Sequence, residues 1–166
     1  MVLATGLGKT WLAAFDVCRI AAQRVLFVAH REEILDQAAE TFLRIRPHNR
    51  VGFYSGLTRD RDVDILCASV QTLSRAEHLE RFPPQHFDYI VVDEFHHAAA
   101  PTYRRLLAHF VPRFLLGLTA TPDRTDQSDI LSLCDDNLVF GCDVFEGITA
   151  GLLAPFHYYG IWDETV

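Results

Sequence analysis

The sequence predicts an α/β fold with one parallel sheet that is flanked by helices on both faces. Short apolar runs alternate with longer segments of helical periodicity along most of the 166 residues. Such alternation is typical of parallel strands joined by crossover helices. Hydrophobic residues make up 49% of the chain, which is enough to build the core of one domain.

The predicted strands are short apolar runs, and the predicted helices are longer and amphipathic. The run Tyr89-Ile90-Val91-Val92, for example, has no polar residue, which predicts a strand buried on both faces. A helix from residue 31 is favoured by acidic residues in its first turn and arginine near its end. We expect strands at residues 25–29, 51–54, 64–69, 89–93, 114–118 and 138–140, and helices at 10–22, 31–44, 101–110 and 127–133.

Composition excludes several classes of protein. The net charge of −7 argues against a basic surface that binds nucleic acid everywhere, although a local basic groove stays compatible with it. The four cysteines are widely spaced and predict buried thiols in a reducing compartment, not a disulfide framework or a zinc site. No apolar run approaches the roughly 20 residues that cross a bilayer. We therefore expect a cytoplasmic protein without a membrane partner.

Lys9 is the only lysine of the chain, whereas every other Lys-or-Arg position is arginine. Such a bias allows arginine wherever any cation suffices, so the retained lysine indicates a site that needs a compact ammonium group. The alternative is a coincidence of composition.

Lys9 lies in a glycine-containing loop that leads from a short apolar run into a helix. The glycines allow backbone N–H groups to turn toward phosphate oxygens, and the start of a helix favours anions. The spacing matches the end of a P-loop, in which lysine reaches the β- and γ-phosphates and threonine binds Mg²⁺. Leu3 replaces the first glycine of the full pattern, and an ordinary glycine-rich turn is the alternative. The predicted ATP contacts are Thr5, Gly6, Leu7, Gly8, Lys9 and Thr10.

Two carboxylates, Asp93 and Glu94, follow the apolar run 89–92. Carboxylates at the carboxyl end of a buried parallel strand lie where α/β sheets bind their ligands. We expect Asp93 to bind Mg²⁺, directly or through water, and Glu94 to orient or deprotonate the attacking water. The alternative is the start of a polar loop. A zinc site from Glu94, His96 and His97 lacks the His-Glu-x-x-His spacing.

A third apolar run, 114–118, ends in Thr119-Ala120-Thr121-Pro122, which on its own would be an ordinary turn. Taken in order, Ala-Thr-Gly-x-Gly-Lys-Thr, Asp-Glu-x-His and Thr-Ala-Thr-Pro resemble motifs I, II and III of superfamily 2 helicases and translocases. The motif sequences are most similar to those of a DEAD/DEAH-like group of bacterial proteins, which includes type III restriction motor subunits. The resemblance covers nearly the whole chain. It implies a RecA-like P-loop domain that hydrolyses ATP with Mg²⁺.

The resemblance also implies roles for residues of motifs II and III. His96 would link motif II to motif III and so contribute to catalysis. The hydroxyls of Thr119 and Thr121 would couple hydrolysis to movement.

Residues 27–33 and 65–73 resemble motifs Ia and Ib, which in this family contact the backbone of a DNA or RNA strand. From the residues alone, Arg31 suits a phosphate contact, as do the hydroxyls of Ser69 and Thr72. Solvated surface and helix capping are the alternatives. His30 and Gln71 complete the predicted nucleic-acid contacts.

The resemblance further implies how the chain is divided. We expect residues 1–141 to form the N-terminal RecA-like helicase domain, shortened at its start, and 142–166 to lead toward a second RecA-like domain that is missing. The chain would then be a fragment that does not hydrolyse ATP by itself. Two other classes stay open: a non-hydrolysing module that binds nucleotide or nucleic acid, and a P-loop kinase or metabolic ATPase.

Overall fold

The computed structural model describes residues 1–120 and 132–156. The predicted helix at 127–133 lies mostly outside these residues, as does Thr121. Among the described residues, no helix is both long and apolar enough to cross a bilayer. In chain order the strands are β1 (Val2–Leu3), β2 (Val25–Ala29), β3 (Val51–Ser55), β4 (Thr58–Arg59), β5 (Ile65–Ser69), β6 (Tyr89–Val92), β7 (Phe114–Gly117) and β8 (Gly141–Cys142).

Six of these strands form one sheet in the order β4-β3-β5-β2-β6-β7. All neighbouring pairs are parallel except the β3–β4 hairpin. This confirms the predicted α/β fold with a parallel sheet. The order places β2 between β5 and β6, so the chain segments that follow these three strands meet at one edge of the sheet.

Helices cover both faces of the sheet, as predicted. Alternate residues of β2 face opposite sides. Phe27 belongs to a core cluster with Ala14 and Phe42, and Val28 belongs to a second cluster with Leu106. The helices are α1 (Lys9–Arg19), α2 (Glu32–Ile45), α3 (Val70–Leu73), α4 (Ala76–Leu79), α5 (Pro101–His109) and α6 (Val144–Thr149), and a 3₁₀ turn spans Phe95–His97.

The strand before the phosphate loop, β1, is short but held on both sides. It pairs in parallel with β8, and Val2 also bridges to Thr119 beyond the end of β7. The Leu3 N–H donates to the Thr119 carbonyl at 2.9 Å, and the Thr119 N–H donates to the Met1 carbonyl at 3.2 Å. The P-loop and motif III therefore begin from neighbouring strands.

The predicted strand at residues 138–140 is wrong. The strand in this region is β8, which begins one residue later. It pairs with β1, with Gly141 opposite Val2 and Cys142 opposite Leu3. Leu138, Val139 and Phe140 are 56%, 65% and 52% exposed, so their apolar character does not reflect burial in a strand.

Candidate nucleotide-binding site

The loop between β1 and α1 has the backbone conformation that its glycines predict. Gly6 has a φ of +89°, and Gly8 caps α1 with a φ of +73°. Both values lie in the left-handed region, which glycine adopts without steric cost. Helix α1 begins at the next residue, Lys9, so the free N–H groups of its first turn lie beside the loop.

The Lys9 side chain folds back over this loop. Its Nζ donates to the Leu3 carbonyl at the end of β1, at 3.2 Å. Lys9 and Thr10 line a cavity of about 500 Å³ together with Asp93 and Glu94. The structure thus brings together the residues predicted to bind phosphate and Mg²⁺ and the predicted general base. The rest of the lining consists of Thr5, Gly6, Gly8, Trp11, Ile34, Gln37, Glu40, Thr41 and Arg44.

Asp93 is a buried carboxylate at the end of β6, with 7% of its surface exposed. Its backbone N–H donates to the Val28 carbonyl of β2 at 2.9 Å, and its Oδ1 accepts from the Glu94 N–H at 2.9 Å. Burial raises the pKa of Asp93, although the hydrogen bond from the Glu94 N–H and the positive charge of Lys9 oppose the rise. A buried anion of this kind favours a cation beside it.

Glu94 has an unusual backbone conformation for a residue with a side chain, with φ +51° and ψ +48°. Left-handed geometry at a non-glycine residue costs free energy, and it persists where the surrounding structure imposes it. Here it directs the chain into the 3₁₀ turn, whose Phe95 N–H donates to the Leu118 carbonyl at 2.8 Å.

Motifs II and III meet at His96. Its Nδ1 lies 3.2 Å from Glu94 Oε2 and 3.1 Å from Thr119 Oγ1. His96 is mostly buried, whereas Glu94 keeps 29% of its side chain exposed. The contact orients the Glu94 carboxylate and joins it to the strand end that carries Thr119.

The predicted nucleic-acid residues lie at the same edge of the sheet, where β2 and β5 end. Ser69 Oγ donates to Gln71 Oε1 at 2.8 Å, and Gln71 Nε2 donates to the His30 carbonyl at 3.3 Å. Arg31 Nε donates to His30 Nε2 at 3.2 Å. Thr72 lies in α3, half-buried, and is not part of these hydrogen bonds.

A second cavity, of about 340 Å³, connects this region to motif II. His30 and Arg31 line it from the β2 side, and Glu94, His96 and His97 line it from the other. Two residues predicted for catalysis, Glu94 and His96, therefore face two residues predicted for strand binding across one cavity.

Sequence reasoning missed the contribution of α2 to the larger cavity. Ile34, Gln37, Thr41 and Arg44 line it, and they recur at intervals of three or four residues, so they share one helix face. That periodicity was a usable signal, because α2 begins within the segment that resembles motif Ia.

A family model described as "Type III restriction enzyme, res subunit" matches residues 1–124. The chain belongs to this ResIII family. The match spans the phosphate loop, Asp93-Glu94 and Thr119, so it confirms the family predicted from motifs I, II and III.

The ResIII chain is 32% identical over 168 residues to a type I restriction enzyme EcoAI endonuclease subunit of Escherichia coli. It is 32% identical over 167 residues to the putative ATP-dependent helicase IRC3 of Saccharomyces cerevisiae. The alignments cover 94% and 88% of the chain, but 20% and 23% of these relatives. The chain thus spans about a fifth of the length of the curated relatives it matches.

A solved structure has the same fold. It is a nuclease-deletion mutant of the Type ISP restriction-modification enzyme LlaGI in complex with a DNA substrate mimic. The TM-score is 0.65 at 13% identity, over 92% of the ResIII chain and 18% of that protein. The likeness confirms the RecA-like fold.

Proposed function

We propose that the ResIII chain is the ATP-binding motor domain of a helicase or translocase. In the full-length protein, hydrolysis of Mg-ATP would drive movement along DNA or RNA. The observation that carries this proposal is the contact of His96 with both Glu94 and Thr119, because Glu94 lines the same cavity as Lys9. A binding site alone has no need of a histidine that contacts both a carboxylate and a neighbouring strand end.

The loop of Thr5, Gly6, Leu7, Gly8, Lys9 and Thr10 would hold the phosphates of ATP. Left-handed glycines and the first turn of α1 supply backbone N–H groups, and Lys9 supplies a charge. The Lys9 ammonium now bonds only one carbonyl in the part of the chain that the structure describes. It can exchange that neutral acceptor for a phosphate oxygen, which makes a stronger charge-assisted bond.

The residues for Mg²⁺ would be Thr10 and Asp93. Both line the same cavity, and both offer oxygen, the ligand that Mg²⁺ prefers. The burial that raises the pKa of Asp93 supports this assignment, because a bound cation stabilises its ionised form. When bound, Mg²⁺ neutralises charge on the phosphate oxygens.

Glu94 would act as general base. It would accept a proton from the water that attacks the γ-phosphate, while the His96 contact keeps its carboxylate in one orientation. Thr119, together with Thr121, would pass the state of the nucleotide to the rest of the motor through His96.

Nucleic acid would contact the segments that resemble motifs Ia and Ib. Arg31 is exposed and would bind a backbone phosphate, and Ser69, Thr72, His30 and Gln71 would position or extend that contact. The hydrogen bond from Gln71 to the His30 carbonyl supports this proposal, because it joins the two segments into one surface. Such a local surface is compatible with the net charge of −7.

We propose residues 1–141 as the ATP-binding domain and 142–166 as the exit segment toward a second RecA-like domain. The described part of this segment packs against the phosphate loop. A Cβ added at Gly147 of α6 would lie 3.4 Å from Leu7 Cδ2, and one added at Gly6 would lie 3.5 Å from Leu153 Cδ2. A change in the phosphate loop could therefore reach this segment directly.

The test is ATP hydrolysis by the full-length gene product with and without DNA and with and without RNA. Stimulation by either polymer supports a motor and identifies the nucleic acid along which it moves. Binding of ATP without hydrolysis in any condition would instead indicate a non-hydrolysing binding module. Turnover that neither polymer changes would indicate a P-loop kinase or metabolic ATPase.

A further inference from the structure

His30 is held from the side of the proposed strand-binding segments. Its carbonyl accepts from Gln71 Nε2 at 3.3 Å, and its ring Nε2 faces Arg31 Nε at 3.2 Å. Gln71 is in turn fixed by Ser69 Oγ at 2.8 Å. The position of His30 therefore depends on the residues that would touch a nucleic-acid backbone.

The other ring nitrogen of His30 lacks a partner. Arginine Nε is a donor only, so His30 Nε2 is the acceptor and the proton of the neutral ring lies on Nδ1. Nδ1 is buried, and within residues 1–120 and 132–156 it has no hydrogen-bond partner. An unsatisfied buried donor is costly and calls for an explanation. The Asp93 carboxylate offers an acceptor in this part of the site, since the Asp93 backbone N–H donates to the Val28 carbonyl, two residues before His30.

The His30 ring also contacts the turn that follows Glu94. It packs edge-to-face on His97, with ring centroids 5.5 Å apart. His97 packs on His96 at 4.1 Å, and His96 lies beside Glu94 Oε2. A displacement of the His30 ring would therefore also displace the turn Phe95–His97, which lies against the proposed general base.

We propose that His30 is a positioning residue that couples occupancy of the strand-binding segments to the orientation of Glu94. This rests on the proposed motor function and adds the residue that joins its two sites. Spatial continuity alone does not establish coupling, so the proposal concerns a measurable energy between two binding events.

The coupling would work through Arg31. A side-on contact between a guanidinium and a phosphate uses Nε together with one terminal nitrogen. Binding of a backbone phosphate in this way removes Arg31 Nε from His30 Nε2. The ring then loses the bond that fixes it, and it can turn so that Nδ1–H meets an acceptor. That rotation moves the ring edge against His97 and shifts the turn Phe95–His97.

The experiment measures the affinity of the full-length gene product for a fluorescently labelled oligonucleotide, with and without Mg²⁺ and ADP–beryllium fluoride. The probe is DNA or RNA, whichever stimulates hydrolysis by the wild type. The ratio of the two dissociation constants is the coupling factor. The variants are His30→Phe, which keeps a ring but removes both nitrogens, His97→Ala, and the double variant. His48→Phe is the matched control, because His48 is exposed in the loop after α2.

We expect a wild-type coupling factor of about 5 to 150, and a fall to less than about a third of it in each single variant. The double variant should fall no further, because both changes break one link. His48→Phe should keep the wild-type factor. If either single variant keeps the wild-type factor, or if their losses multiply in the double variant, the inference about His30 is wrong.

The thermal unfolding temperature of each variant is recorded alongside. If His30→Phe proves unstable, His97→Ala decides the question, since it leaves His30 in place. A wild-type protein with no coupling and no nucleic-acid-stimulated hydrolysis would contradict the proposed motor function itself. Coupling that is present in the wild type and unchanged in His97→Ala would contradict only the role of His30.

Discussion

The ring of Phe95 lies directly against the backbone of Gly117. A Cβ added at Gly117 would come within 2.5 Å of the ring, closer than any real contact. Phe95 follows Glu94, and Gly117 ends β7 two residues before Thr119. The turn that carries the proposed base is therefore seated on β7 because residue 117 has no side chain.

We expect Gly117→Ala to destabilise the protein, because either the Phe95 ring or β7 must move. Overpacking of a core typically costs about 1 to 3 kcal/mol. The change should appear as a lower free energy of unfolding in urea. Gly141→Ala is the matched control, since a Cβ there meets nothing within 4 Å. Equal stability of the two variants would show that the Phe95 turn adapts without cost.

Replacement of Lys9 by alanine should remove nucleotide binding and leave the fold intact. A charged hydrogen bond contributes about 1.5 to 3 kcal/mol, so affinity for Mg-ATP should fall at least about tenfold. Calorimetric titration measures this directly. Arg19→Ala, at the exposed end of α1, is the control for a lost positive charge. Unchanged affinity in Lys9→Ala would contradict the phosphate-loop assignment.

The sequence was sufficient for those parts of the fold that follow from continuous burial. Strands β2 and β6 are buried along their whole length, and their unbroken apolar runs predicted them to within one residue. Strand β8 was missed because residues 138–140 are apolar yet exposed. The hydrophobicity of a short segment does not predict which strand it pairs with.

The candidate site was predictable where one motif places its residues on one element. Two such pairs were predicted in this way, Lys9 with Thr10 and Asp93 with Glu94. The pairing of His30 with His97 was not predictable, because it requires β2 to lie beside β6. The left-handed backbone of Glu94 was equally hidden, since glutamate has no intrinsic preference for that conformation.

Substitution of Glu94 by glutamine should separate binding from turnover. The amide is similar in shape but cannot accept a proton from water, and loss of general-base catalysis typically costs about 10² to 10⁴ in rate. Steady-state hydrolysis by the full-length gene product should fall by this factor, with little change in Mg-ATP affinity. Glu40→Gln, on the α2 side of the same cavity, should retain activity. Near-normal turnover in Glu94→Gln would place the general base elsewhere.

The stability of the domain should fall as the pH drops, because of a buried pair remote from the nucleotide. Tyr54 Oη and His78 Nδ1 lie 2.9 Å apart, and His78 is 6% exposed. Burial, with help from the charge of Arg59, lowers the pKa of His78 from its ordinary value of 6.5. The unfolded chain therefore binds more protons than the folded one below pH 6.5, so stability rises with pH in that window.

Urea unfolding at a series of pH values measures this slope. The stabilisation should be fully present above pH 6.5 and should be lost progressively as the pH falls through that value toward the lower pKa of the folded state. His78→Gln removes the titrating group and should flatten the slope. Part of it should remain, since burial also lowers the pKa of His86. His48→Gln, in an exposed loop, should keep the wild-type slope. An unaltered slope in His78→Gln would mean that the buried Tyr54–His78 pair does not set the acid sensitivity of the fold.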